Sequence, residues 1–148
     1  MTILLLSVAG VVISVVVGML WYGPNTPTGK IHMQYLGFDK LSPEEQKQHI
    51  EIAKPKMPKI YAGQMLLSFL TSVFTVFVIT MSVQNGVPFS TAVVFPVVAW
   101  LCFTVPTTGG ALLWGNSEGS LAWKKFFTDI FASLVTILLI ALMVSFFI

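Results

Sequence analysis

Apolar and polar positions divide this chain into four long apolar runs and one long polar stretch. Thr2 to Tyr22 carries no charge over about 21 residues, and about 20 apolar residues span a hydrocarbon core. Residues 60–83, 89–114 and 121–147 repeat the pattern, and residues 23–59 form the polar stretch. The chain therefore reads as a single membrane domain, 1–148. Its fold class is all-α: an integral membrane four-helix bundle with a partly helical loop between spans one and two. The first run differs from a secretory signal. No Lys or Arg precedes it, and it ends in Trp21-Tyr22-Gly23-Pro24 rather than a small-residue cleavage site.

Local signals divide the polar stretch further. Gly23-Pro24 stops the first helix, because proline lacks the amide hydrogen and disfavours helical angles in its predecessor. Lys30 to Leu36 predicts a short helix ended by Gly37, with Ile31, Tyr35 and Phe38 as an apolar side suited to a membrane interface. Ser42-Pro43-Glu44-Glu45 is a capping box with proline at the first helical position. That helix is expected to reach Ala53 and stop before Pro55. Gln84 to Pro88 is a turn, and Gly115 to Ser120 is a loop whose only charge is Glu118.

Within the spans, small and polar residues recur at helical spacing. Ser7, Gly10, Ser14 and Gly18 share one face of the first span, where another helix can approach closely. Gln64, Ser68, Thr71, Ser72 and Thr75 share a face of the second and are expected to face other helices. Pro96 and Pro106 interrupt the third. Pro106 frees the carbonyl of Cys102 and predicts a kink near Val105. Thr107 and Thr108 offer hydroxyls at the break, Thr104 lies close by, and Gly109-Gly110 lets a neighbour approach. The polar side of the kink is expected to face the bundle and the second-span stripe.

Composition sharpens this picture. The chain is 55% hydrophobic, only 9% charged, and has a mean hydropathy of +0.86. A soluble domain carries about 25% charged residues, so lipid must solvate most of this surface. The eight cations are all lysine, and four spans place every one on a single side. The positive-inside rule makes that side cytoplasmic and both termini extracytoplasmic in a multi-pass protein of the plasma (inner) membrane. Trp21, Tyr22, Tyr61, Trp114 and Trp123 fall at the same ends of the spans and read as interface anchors. For Trp21 and Tyr22 the alternative is the wall of a pocket beneath the loop. The lone Cys102 excludes an internal disulfide and reads as a small buried hydrophobe. No basic patch with interleaved aromatics points to nucleic acid.

Asp129 is the only acidic residue inside a span, and ionisable groups there are functional candidates. The plainer reading pairs it with Lys125, one turn earlier at the interface. The sharper one is an ion or proton site opening from the cytoplasm, shared with Gln64 or with Thr104, Thr107 and Thr108. Glu45 and His49 share a helix face, with His32 in the same loop, but lack recognised metal spacing and read as a solvated helix. No catalytic residue, cofactor site or metal site is assigned.

Trp21-Tyr22-Gly23-Pro24, Gly29-Lys30, Leu36-Gly37 and Pro106-Thr107 together resemble the small four-span membrane family DUF1761. The resemblance covers most of the chain, and the Trp-Tyr-x-Pro motif is its most specific part. It implies a four-helix membrane domain with an early polar loop, and no activity. Family members often carry a His in the fourth span. This chain has none there and carries Asp129 instead, so no role of that His transfers. The leading functional expectation is a non-enzymatic membrane module that self-associates or packs in a larger membrane complex within the lipid bilayer. The alternative is a small transporter or channel with a site near the kinked third span. A lipid-acting membrane enzyme ranks third.

Overall fold

The computed structural model describes residues 2–114 and 119–148, leaving out the side chains of Thr2 and Trp114. The expected interfacial role of Trp114 and the loop charge at Glu118 lie outside the described residues. Every described element is helical. Helix α1 is Thr2–Trp21, α2 Pro27–Tyr35, α3 Pro43–Ala53, α4 Met57–Gln84, α5 Phe89–Ala99, α6 Val105–Trp114 and α7 Ser120–Ser145. A π-helical segment, Trp100–Thr104, joins α5 to α6. Four helical stretches are long and apolar enough to cross a membrane: Ile3–Trp21, Pro43–Gln84, Phe89–Leu113 and Ser120–Ser145.

The loop signals resolve as local physics dictates. Ser42 and Glu45 form the complete capping box of α3. Gly37 and Gly86 hold positive φ angles of 75° and 84°, where a side chain would be strained. Helix α2 starts earlier than expected, because Thr26 caps it by accepting from the amide of Gly29 and Pro27 occupies its first turn. Helix α3 ends at Ala53, but Pro55 does not open a loop. A 3₁₀ turn, Lys54–Lys56, leads directly into α4. At 28 residues, α4 runs for about 42 Å, beyond the ~30 Å of a bilayer core.

Helix α1 packs against α4 and α7, and α4 also contacts α5 and α7. The core lies at the end remote from the lysines and contains Leu6, Val76, Ile79, Ala92, Ile140, Ala141 and Val144. At Gly10 the Ser72 side chain of α4 packs directly onto α1. A Cβ there would sit 1.9 Å from Ser72 Oγ, which itself donates to the carbonyl of Ser7 at 2.8 Å. Ser7, Ser72 and Thr75 are fully buried in this contact. The predicted α1 face is therefore real over its first half. It fails at Gly18, where an added Cβ would meet nothing within 4 Å. Gly18 instead borders a gap between α1, α4 and α7, and α4 is exposed from Pro58 to Leu67.

The third span departs from expectation at Pro106. The break takes the form of a π turn ahead of the proline, in which the amide of Val105 donates to the carbonyl of Trp100. Thr107 is exposed and donates to the carbonyl of Phe103, so its hydroxyl serves its own helix instead of turning inward. Pro96 is buried inside α5, and Cys102 is exposed rather than buried.

Candidate functional site

The chain after α1 turns back tightly. Thr26 and Thr28 both donate to the carbonyl of Trp21, and a Cβ on Gly29 would fall 1.9 Å from the carbonyl oxygen of Gly23. Only glycine permits that approach. The return lays α2 against α7 and points the two aromatics of the motif at the same helix. Trp21 Nε1 donates to the carbonyl of Thr128 at 3.2 Å, and Tyr22 Oη donates to Asp129 Oδ1 at 2.6 Å. Trp21 and Tyr22 are therefore half-buried and tied to α7 by hydrogen bonds. Tyr61 and Trp123 are exposed.

Lys125 pairs with both carboxylate oxygens of Asp129, one helical turn away. Its ammonium also lies 5.5 Å from the ring centre of Tyr22 and 5.8 Å from that of Tyr35. His32, on α2, places its ring 5.2 Å from Tyr22. Its Nδ1 is buried and has no hydrogen-bond partner among the described residues. Burial lowers the pKa of His32, the nearby Lys125 lowers it further, and Asp129 acts in the opposite sense. The turn thus gathers one cation, one carboxylate, two phenols and an imidazole at the lysine-rich end of the bundle.

Beneath this cluster lies a cavity of about 250 Å³ between α1, α4 and α7. Asp129 and Tyr22 border it, with Ser14, Gln64, Ser68, Thr71, Ser133 and Thr136 as further polar walls. A second cavity of about 360 Å³ lies between α4, the α5–π segment and α7. Its lining is largely apolar, with Phe74, Phe103 and Ile137 among the walls. Thr71 borders both cavities. Trp100, on the second, donates through Nε1 to Ser133 Oγ on the first at 2.9 Å.

The candidate set therefore divides. Gln64 and Asp129 line one crevice, as expected. Thr104 lines the other cavity, and Thr107 and Thr108 border neither. The proposed meeting of Asp129 with the third-span threonines is not found: the π segment lines the second cavity, and its Trp100 is bonded to Ser133. The second-span stripe divides too. Ser72 and Thr75 pack in the core, while Gln64, Ser68 and Thr71 open on the crevice. His49 meets the ring of Phe38 edge-on, and Glu45 is used in its cap, with its carboxyl held below the usual range by the backbone amide of Ser42. Neither adjoins His32, and no group of three metal-ligating side chains occurs among the described residues.

Sequence reading missed Ser133 and Thr136. The signal was present: Asp129, Ser133 and Thr136 follow at steps of four and three, one face of α7. It read His32 as part of a solvated loop and missed Trp100; a sequence alone carries no sign of their long-range partners. Comparison with curated proteins and with solved structures gives no match. A family model described as protein of unknown function (DUF1761) matches residues 5–145, nearly the whole chain, and the protein belongs to that family.

Proposed function

We propose that this is a multi-pass membrane protein that binds a small polar solute in the α1–α4–α7 crevice and passes it toward the lysine-rich side. The observation that carries this reading is the cavity of about 250 Å³ shared by Gln64 and Asp129, two polar residues from different spans. Polar groups at membrane depth are costly unless they face protein or water, and six hydroxyl or amide side chains border this one cavity together with Tyr22 and Asp129. The eight lysines support placing that side in the cytoplasm and both termini outside, in the plasma (inner) membrane. The crevice suits binding rather than bond cleavage, since its carboxylate is already engaged by Lys125 and Tyr22.

A second reading keeps the protein as a module that self-associates or joins a larger complex. It is favoured by the exposure of Gln64 and Thr71 on α4, which a helix from a second copy would cover. Purified protein in liposomes separates the two. Flux of small polar solutes above that of empty liposomes, lost in Gln64→Leu, supports the transport reading. No flux, together with a stable dimer by native mass spectrometry in which Gln64→Leu dissociates the copies, supports association instead.

A further inference from the structure

We propose that the crevice is selective for a primary ammonium, and that Lys125 occupies part of its site from within. This rests on the reading of the crevice as a binding site and names the chemistry of what binds there. Ser14, Thr71, Ser133 and Thr136 each donate their hydroxyl proton to a carbonyl of their own helix, at 2.9, 3.0, 2.8 and 2.9 Å. A hydroxyl has one proton and two lone pairs. With the proton committed to the backbone, only oxygen lone pairs remain for the cavity. Ser133 spends part of this capacity on Trp100, and the other three keep theirs. Asp129 adds an acceptor-only carboxylate. Gln64 and Ser68 also line the crevice and can donate as well as accept, but they are outnumbered by the four committed hydroxyls and Asp129, so an anion entering it would meet acceptors on most sides. A donor-rich cation would be matched by the same groups.

Lys125 shows how the site treats an ammonium. Its own is gripped by both oxygens of Asp129 and lies near the rings of Tyr22 and Tyr35. Carboxylate and aromatic face are the groups by which proteins hold ammonium ligands. A ligand ammonium would reach Asp129 from the crevice and compete with Lys125 for it. The volume of about 250 Å³ corresponds to roughly eight molecules of water at ~30 Å³ each, enough for an ammonium with a short alkyl chain.

The test is binding of ethylammonium chloride to the full chain in lipid nanodiscs, by calorimetry at constant ionic strength. n-Propanol and sodium acetate serve as neutral and anionic probes of similar size. Saturable binding of ethylammonium alone is expected. Lys125→Gln should tighten it about tenfold or more by freeing Asp129, and Thr71→Val should weaken it several-fold at unchanged shape. Asp129→Asn should abolish it, and the Thr71→Val result stands in should that variant fail to fold. Equal binding of propanol, or Lys125→Gln without tightening, overturns the proposal. Binding of acetate or propanol that Gln64→Leu removes would keep the crevice as a site and refute its cation selectivity. Absence of binding by all three probes in both wild type and Lys125→Gln would remove the site as well.

Discussion

Tyr22 and Asp129 stand 107 residues apart in sequence, yet the phenol donates to Asp129 Oδ1 at 2.6 Å. This bond ties the end of α1 to the first turns of α7 and sets the carboxylate at the edge of the crevice. A hydrogen bond to a charged group contributes about 1.5–3 kcal/mol. Tyr22→Phe should therefore lower stability by about that much while retaining the ring contact with His32. Unfolding of the purified protein in mixed micelles measures it. A loss below about 0.5 kcal/mol would mean that the bond is not formed in the membrane-like environment.

The two glycines of α1 should behave oppositely. At Gly10 a methyl group would collide with Ser72 Oγ, so Gly10→Ala should cost about 1–3 kcal/mol through overpacking. At Gly18 the space is open, and alanine is the better helix former. Gly18→Ala should be neutral or stabilising by up to about 1 kcal/mol in the same unfolding assay. Equal losses at both positions would contradict the splayed arrangement of α4.

The helices were largely legible in the sequence, because apolar run length and caps are local. Ser42 with Glu45, Gly37 and the Asn85-Gly86 turn all act within a few residues of themselves. The faces were legible only where the helices run close. The spacing of Ser7, Gly10, Ser14 and Gly18 is uniform, but the distance between α1 and α4 is not, and no periodicity reports that distance. The site was legible at Asp129, through the cost of charge in a span, and at Gln64. Its third-span part was misread. A proline predicts that a helix must adjust, but the π turn it adopts also decides which way Thr107 and Thr108 turn.

Protonation of His32 should oppose folding. Its folded pKa lies below the ordinary 6.5, because of burial first and Lys125 second. Between 6.5 and the folded pKa the unfolded chain binds the proton and the folded chain does not. The stability this group contributes is present above 6.5 and is lost as pH falls through that window. Glu45 is also lowered, from 4.5, so its contribution is lost as pH falls below that value. Unfolding free energies measured at about pH 7.5 and about pH 5.5 should differ in the wild type and differ less in His32→Gln. Parallel values in the two proteins would refute this role of His32.

The proposed orientation rests on the lysines. Cysteines placed at Gln48 and Asn85 in a Cys102→Ala background lie on opposite sides of α4. An impermeant maleimide applied to intact cells should label position 85 and spare position 48. Labelling at 48 with protection at 85 would reverse the topology, leaving the crevice facing outward.

On the proposed reading the α1–α4–α7 crevice holds water at membrane depth. Ser68 lines it, whereas Leu66, two residues earlier on α4, lies on the apolar exterior. Ser68→Cys and Leu66→Cys, each in the Cys102→Ala background, can be reacted with a charged, water-soluble maleimide after reconstitution in bilayers. Rapid modification at position 68 and none at position 66 is the result expected. Protection of both cysteines would mean a dry or lipid-filled groove and would contradict the account.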